Sequence, residues 1–305
     1  GEFRPMWQIV TDMSSYRADS LAPLYASATL RFILTRLLLP APSYLYGMWL
    51  VGSEMYGSGR SAVLWGQRSD TGLWYYFPVV LLIKTPLATL ALVAIALIAL
   101  FRSVTRNWCN SAFLIVPAGM WLGLAMTSKL NLGYRHILPL WPFLFVAVGS
   151  LVAVSPRGWR RVGLLMLAGW LAVSAITIFP HHLAYFNELV GGPGEGYRYL
   201  VDSNLDWGQD LKGLARYQRE RALGKIYLAY FGTADPDTYG IEYECMPSYG
   251  LLACDDAPIP RSGTLAVSAT CLQGGCTEDP QAYRWLLDET PVAKIGYSIF
   301  IYELP

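Results

Sequence analysis

A short polar segment running from Thr127 ends in Tyr134, Arg135 and His136, which set a phenol, a guanidinium and an imidazole side by side at the edge of a long apolar run. A guanidinium offers a planar fork of N–H donors to phosphate or carboxylate oxygens and stays charged at any working pH. With Tyr134 and His136 as further donors, the triplet reads as an anion site. The structural alternative is an Arg that merely anchors a membrane segment among headgroups. Lys84, at the end of WYYFPVVLLIK, has the same two readings, anion binding or snorkelling to an interface. Between Asp70 and Glu188 the chain contains no Asp or Glu, so neither cation has a carboxylate partner within that stretch. Arg135, His136, Tyr134 and Lys84 are therefore candidates for binding an anion.

The second chemical stretch is DSNLDWGQD, with Asp202, Asn204, Asp206 and Asp210 close together. It has the D-x-N-x-D start of a calcium loop, but Trp207 stands where that loop needs Gly and Gly213 where it needs a bidentate Glu. The expectation is a turn leading into the helical pattern LKGLARYQRERAL, with Asp206 as its cap. An irregular divalent-cation site or a motif facing the substrate remains an alternative for this acidic cluster, and no metal ligand set is assigned. Four cysteines, Cys245, Cys254, Cys271 and Cys276, follow in the tail. If the tail faces an oxidising compartment they can pair, and 245 with 254 and 271 with 276 are nearest in sequence. Free thiols and a zinc site stay open beside that reading, although C-x8-C and C-x4-C are not tight zinc spacings. Cys109 is expected to be reduced.

The elements that must position these residues are suggested by hydropathy. Four apolar runs, Thr85 to Phe101, Asn107 to Ser128, Ile137 to Pro156 and Val162 to Pro180, have lengths suited to a hydrocarbon core of about 30 Å at about 1.5 Å per residue. Composition agrees: 54% of residues are hydrophobic, and the net charge of +1 hides an asymmetry. Residues 1–180 hold 14 of the 23 Lys and Arg and 5 of the 22 Asp and Glu, so the apolar half is basic and the tail acidic. Arg102 and Arg106 in one connection, and Arg157, Arg160 and Arg161 in another, predict cytoplasmic loops, which puts Arg135 and both flanking segments on the outer face. Leu37 to Ser53, with Pro40 and Pro42, suits an interfacial helix or re-entrant hairpin, and Trp74, Tyr75, Tyr76 and Phe77 suit the membrane interface. No secretory signal is visible, so further membrane helices are expected upstream.

After Pro180 the pattern becomes that of a water-soluble α/β domain. KIYLAYFG and TLAVSATCLQG read as buried strands, AYRWLLDE as a short helix and VAKIGYSIFIYEL as a final strand. The expected fold class is thus a polytopic α-helical membrane protein followed by a small soluble α/β domain. Residues 1–75 form an outer loop, 76–180 a region of about four transmembrane helices, and 181–305 an extracytoplasmic α/β domain.

Four strings carry a family resemblance: GLWYYFPVVLLIKTPL, LNLGYRHILPLWPFLFV, HHLAYFNELVGGPGEGYRYLVDSNLDWGQDL and PVAKIGYSIFIYELP. Together they resemble the C-terminal half of bacterial glycosyltransferase family 39 proteins, which are similar to dolichyl-phosphate-mannose protein mannosyltransferases and share the polytopic GT-C fold. The resemblance implies a hexosyltransferase at the bacterial inner membrane that moves a sugar from a polyprenyl-phosphate carrier to a glycan, lipid or protein acceptor on the outer face, with membrane lipid and no nucleic acid as partner. It also implies a catalytic carboxylate in an upstream outer loop, so this segment alone is expected to be inactive, and substrate-phosphate binding on the carrier, for which Arg135 is the first candidate, with His136, Tyr134 and Lys84 beside it. The competing class is a non-catalytic transporter subunit or a scaffold presenting an outer binding domain. A transporter more often shows membrane-embedded charges and repeated halves, and no internal repeat is found.

Overall fold

The computed structural model describes residues 62–153, 158–250, 258–277 and 279–305. The hairpin β1 (Ala62–Leu64) and β2 (Gln67–Ser69) leads into α1 (Tyr76–Lys84) and α2 (Leu87–Thr127). Thr85 and Pro86 separate these two helices in extended conformations. A residue before proline is driven out of the helical region, which is why α1 stops here. Asn187, far along the chain, satisfies the open end of α1: its Nδ2 donates to Leu82 O at 2.6 Å and Thr85 O at 2.9 Å, and its backbone N–H to Ile83 O at 2.9 Å. A 3-10 turn, Tyr134–Leu140, then runs into α3 (Trp141–Ala153), and α4 (Trp159–Thr177) completes the helical part.

The expected polytopic membrane fold is not what forms. Among the described residues no single helix is long and apolar enough to cross a membrane; α1 and Leu87–Arg102 meet the length and composition of a span only as a pair, bent by 116°. The run from Ile137 to Pro156 is divided, because its first residues lie in the 3-10 turn with Pro139, and α3 has only 13 residues. The run beginning at Val162 yields a shorter apolar helix, Arg161–Thr177. Arg102, expected in a loop, lies inside α2, which continues because neither Gly nor Pro interrupts the chain from Phe101 to Ser111. Helical regions joined to a mixed sheet replace the four-span bundle. The segment Leu37 to Ser53, Arg157 and Cys254 lie outside the described residues.

The sheet is built from β3 (Ile226–Ala229), β5 (Tyr243–Cys245), β7 (Gly263–Ser268), β8 (Ala293–Ile295) and β9 (Ile299–Leu304), while β4 (Phe231–Gly232) pairs separately with β6 (Tyr249–Gly250). Its order is β5-β3-β7-β9-β8, with β3 parallel to β5 and β7, and β9 antiparallel to β7 and β8. Alternate residues serve different cores, as the strand period of two requires. Leu265, Val267, Phe300 and Tyr302 join a core with Leu200, Val201 and Leu205. Ala266, Ile299 and Ile301 instead pack with Leu211, Leu214 and Ala215 of α5 (Leu211–Glu220). Burial on both faces explains the continuous apolar strings, each large aliphatic side chain contributing about 1.5–3 kcal/mol.

The sequence expectations for this part change in detail: TLAVSATCLQG is a strand only as far as Ser268 and is helical over Ala269–Leu272, and KIYLAYFG divides into β3 and β4. AYRWLLDE forms a 3-10 turn, Arg284–Asp288, and VAKIGYSIFIYEL is a hairpin of two strands, because Gly296 and Tyr297 turn the chain at φ 58 and 69. A Cβ on Gly296 would fall on the Asp210 carboxylate, whereas one on Gly240, also at positive φ, would meet nothing within 4 Å. Gly296→Ala is therefore expected to lose about 2–4 kcal/mol and Gly240→Ala only about 1 kcal/mol, read from the midpoints of urea denaturation.

Candidate functional site

The strings LNLGYRH and DSNLDWGQD meet through one buried side chain, Asn204. Its Oδ1 accepts from the Tyr134 backbone N–H at 3.0 Å, its Nδ2 donates to Tyr76 Oη at 2.8 Å, and its carbonyl accepts from Lys84 Nζ at 2.6 Å. Next to it, Ser203 Oγ donates to Leu132 O. A Cβ on Gly133 would collide with that hydroxyl, so glycine is what lets the two loops touch. The Asp202 N–H donates to Thr270 Oγ1 at 3.0 Å, which ties the same loop to α6 (Ala269–Leu272).

The four residues expected to bind phosphate take different places around this knot. Lys84 is half-buried: Nζ donates to Leu183 O at 2.7 Å as well as to Asn204 O, and lies 4.3 Å from the centre of the Phe186 ring. Burial pushes its pKa down to about 7. It ties the end of α1 to two loops. The Tyr134 hydroxyl shares a 3.0 Å hydrogen bond with Thr85 Oγ1. His136 meets Phe77 edge-on, and its buried Nε2 has no hydrogen-bond partner. Burial first, and the neighbouring Arg135 charge second, hold this imidazole below its ordinary pKa.

Arg135 differs from these three in being exposed. Its guanidinium lies 5.2 Å from the centre of the Trp207 ring, and no carboxylate among the described residues pairs with it. A cation–π contact of this kind attracts the charge to the ring face and still allows the guanidinium N–H groups to meet a ligand. Sequence reasoning passed over Trp207, treating it as a fault in a calcium loop. Its place between Asp206 and Gly208 was the available signal.

The acidic cluster is not a ligand set. Asp206 is fully buried; Oδ1 accepts from Gly208 N–H at 3.1 Å and Oδ2 from Thr270 Oγ1 at 3.3 Å. It does not cap α5, whose N-terminal position is held by Asp210 without a side-chain capping bond. The Asp210 carboxylate reaches Ser298 Oγ at 2.6 Å and Gln209 Nε2 at 3.2 Å, with His181 Nδ1 at 3.7 Å. Desolvation raises the pKa of both acids, that of Asp206 to about 7. Among the described residues no group of three His, Cys, Asp or Glu could hold a metal ion. The two carboxylates fasten the loop from within and leave Trp207 outside, 47% exposed.

Cys271 and Cys276 form a disulfide, which closes the loop after α6 and so supports the helix carrying Thr270. Cys245 is also disulfide-bonded, and Cys109 is free and exposed. No family model, curated protein or solved structure matches this chain.

The two shifted groups oppose each other across pH. Asp206, raised from 3.8 to about 7, holds a proton in the native state that the unfolded chain releases, so its contribution to stability falls as pH rises through that window. Lys84, lowered from 10.5 to about 7, lacks a proton that the unfolded chain binds, so its contribution rises with pH from about 7 to 10.5. Thermal denaturation across pH should show the first slope flattened in Asp206→Asn and the second in Lys84→Met. Unchanged slopes in these variants would dissociate them from the two side chains.

Proposed function

We propose that this chain is the C-terminal part of a transferase that moves a hexosyl group from a polyprenyl-phosphate carrier to a glycan, lipid or protein acceptor, with Arg135 on the carrier phosphate. The observation that carries the reading is the exposed Arg135 guanidinium, held over Trp207, without a carboxylate partner among the described residues, at the meeting point of two strings that resemble the family. As the bond from the sugar to the phosphate oxygen breaks, negative charge grows on the phosphate. A charge-assisted hydrogen bond strengthens with it, so part of the binding energy appears in the transition state. The acceptor proton goes to a carboxylate expected upstream, since the buried Asp206 and Asp210 are engaged in the loop itself.

Two features support action on a lipid-linked substrate at the outer face of the bacterial inner membrane. Phe113, Val116, Met120 and Leu124 of α2 are exposed at three- and four-residue spacing, and Met166, Trp170 and Val173 of α4 likewise, which makes apolar faces that favour lipid over water. An apolar cavity of about 240 Å³, lined by residues including Leu97, Leu122, Leu140 and Phe143, adjoins the 3-10 turn that carries Arg135. The Cys271–Cys276 disulfide agrees with an oxidising compartment.

The test is sugar transfer by the full-length protein with its upstream segment present. Arg135→Ala is expected to lower turnover by about tenfold to a few hundredfold, and Arg135→Lys, which keeps charge without the fork, by less. Normal turnover in an Arg135→Ala protein of normal abundance would refute the assignment.

A further inference from the structure

The β1–β2 hairpin turns on Trp65 and Gly66, both left-handed, at φ 51 and 68. Glycine or asparagine suits the first of these positions; a bulky aromatic side chain there is strained. The strain is not offset by full burial, because Trp65 remains 51% exposed. Its ring lies against that of Tyr75, with centroids 6.3 Å apart and planes 24° from parallel. Trp74, 68% exposed, meets the same Tyr75 ring edge-on at 5.6 Å.

The surroundings hold this turn rigid. Trp65 N–H donates to Tyr199 O at 2.9 Å, Arg284 Nη1 donates to Gly66 O at 2.8 Å, and Arg68 Nη1 reaches Gly274 O and Thr277 O at 3.1 and 3.3 Å. Polar residues lie between the aromatic ones in sequence: Gln67 and Thr71 are exposed, and Asp70, also exposed, accepts from Arg68 Nε at 3.2 Å.

We propose that Trp65, Tyr75 and Trp74 form a binding platform for an oligosaccharide. Pyranose rings present C–H faces that suit the negative face of an aromatic ring, while their hydroxyls need donors and acceptors at the edge. The exposed indoles supply the first, and Gln67, Asp70 and Thr71 the second. Rigid aromatic rings also lose little conformational entropy on binding. A lipid surface is the weaker match, because the segment between Trp65 and Trp74 exposes the acid Asp70 and the neutral polar Gln67 and Thr71 where aliphatic side chains would be expected. The proposal does not depend on the transferase reading, since a saccharide can bind here without being transferred.

The test is calorimetric titration of the full chain with mannohexaose, chitohexaose, cellohexaose and maltohexaose, with phosphatidylethanolamine–phosphatidylglycerol vesicles titrated in parallel. At least one hexasaccharide is expected to bind, and Trp74→Ala and Trp65→Asn each to weaken that binding by about tenfold or more. Asparagine accepts the left-handed conformation, so Trp65→Asn should unfold at the wild-type temperature or above it, which separates loss of the ring from loss of the fold. Three results would overturn the platform: no binding of any of the four sugars, sugar binding unchanged in both variants, or vesicle binding alone that the variants abolish. Sugar transfer by the full-length protein is measured separately, so failure here leaves the Arg135 assignment to its own experiment.

Discussion

A buried asparagine that hydrogen-bonds to three separate parts of the chain is the constraint from which the rest of this arrangement follows. Asn204 binds the Tyr134 N–H, the Tyr76 hydroxyl and, through its carbonyl, the Lys84 ammonium or amine. An isolated amide in such a place would cost about 1–3 kcal/mol for each unsatisfied group, so the knot is stable only when all three segments are in position. It couples the end of α1, the start of the 3-10 turn and the acidic loop into one unit. Lys84 illustrates the consequence. A neutral amine has two N–H donors, matching its two carbonyl acceptors, and the buried setting favours that state.

The same coupling accounts for what is left facing solvent. Asp206 and Asp210 turn inward to Gly208, Thr270 and Ser298, so the loop between them can fold tightly only with its bulky member outside. Trp207 is that member, and Arg135, delivered by the other side of the knot, lies over its ring. A guanidinium over an indole, with no carboxylate partner among the described residues, favours an anion. Buried acids and an exposed cation thus arise from one packing solution.

Supports further out follow the same logic. Asn187 closes the end of α1, and the Cys271–Cys276 loop carries Thr270 against both Asp202 and Asp206. Arg68 and Arg284 bind main-chain carbonyls and so connect the first hairpin to the segments that flank β8 and α6. These positive side chains act as donors to the backbone, where their charge matters less than their reach.

The sequence by itself located the first strands of the sheet, because the apolar cores of KIYLAYFG and TLAVSATCLQG suit burial on both faces, but not that the second string turns helical at Ala269. It also showed that the cations between Asp70 and Glu188, Arg135 and Lys84 among them, have no acid within that stretch, which is a property of composition alone. It did not determine the helical architecture. Hydropathy measures how apolar a run is and is blind to the Thr85–Pro86 bend, to the 3-10 start of the Ile137 run and to the continuity of α2 through Arg102. Nor did it show that Lys84 would bind two main-chain carbonyls, that Asp206 would bind Thr270 in place of capping a helix, or that Gly296 and Tyr297 would fold one apolar string into two strands. Those outcomes depend on partners scores of residues away, and only the tertiary structure decides which partner each polar group finds when water is excluded.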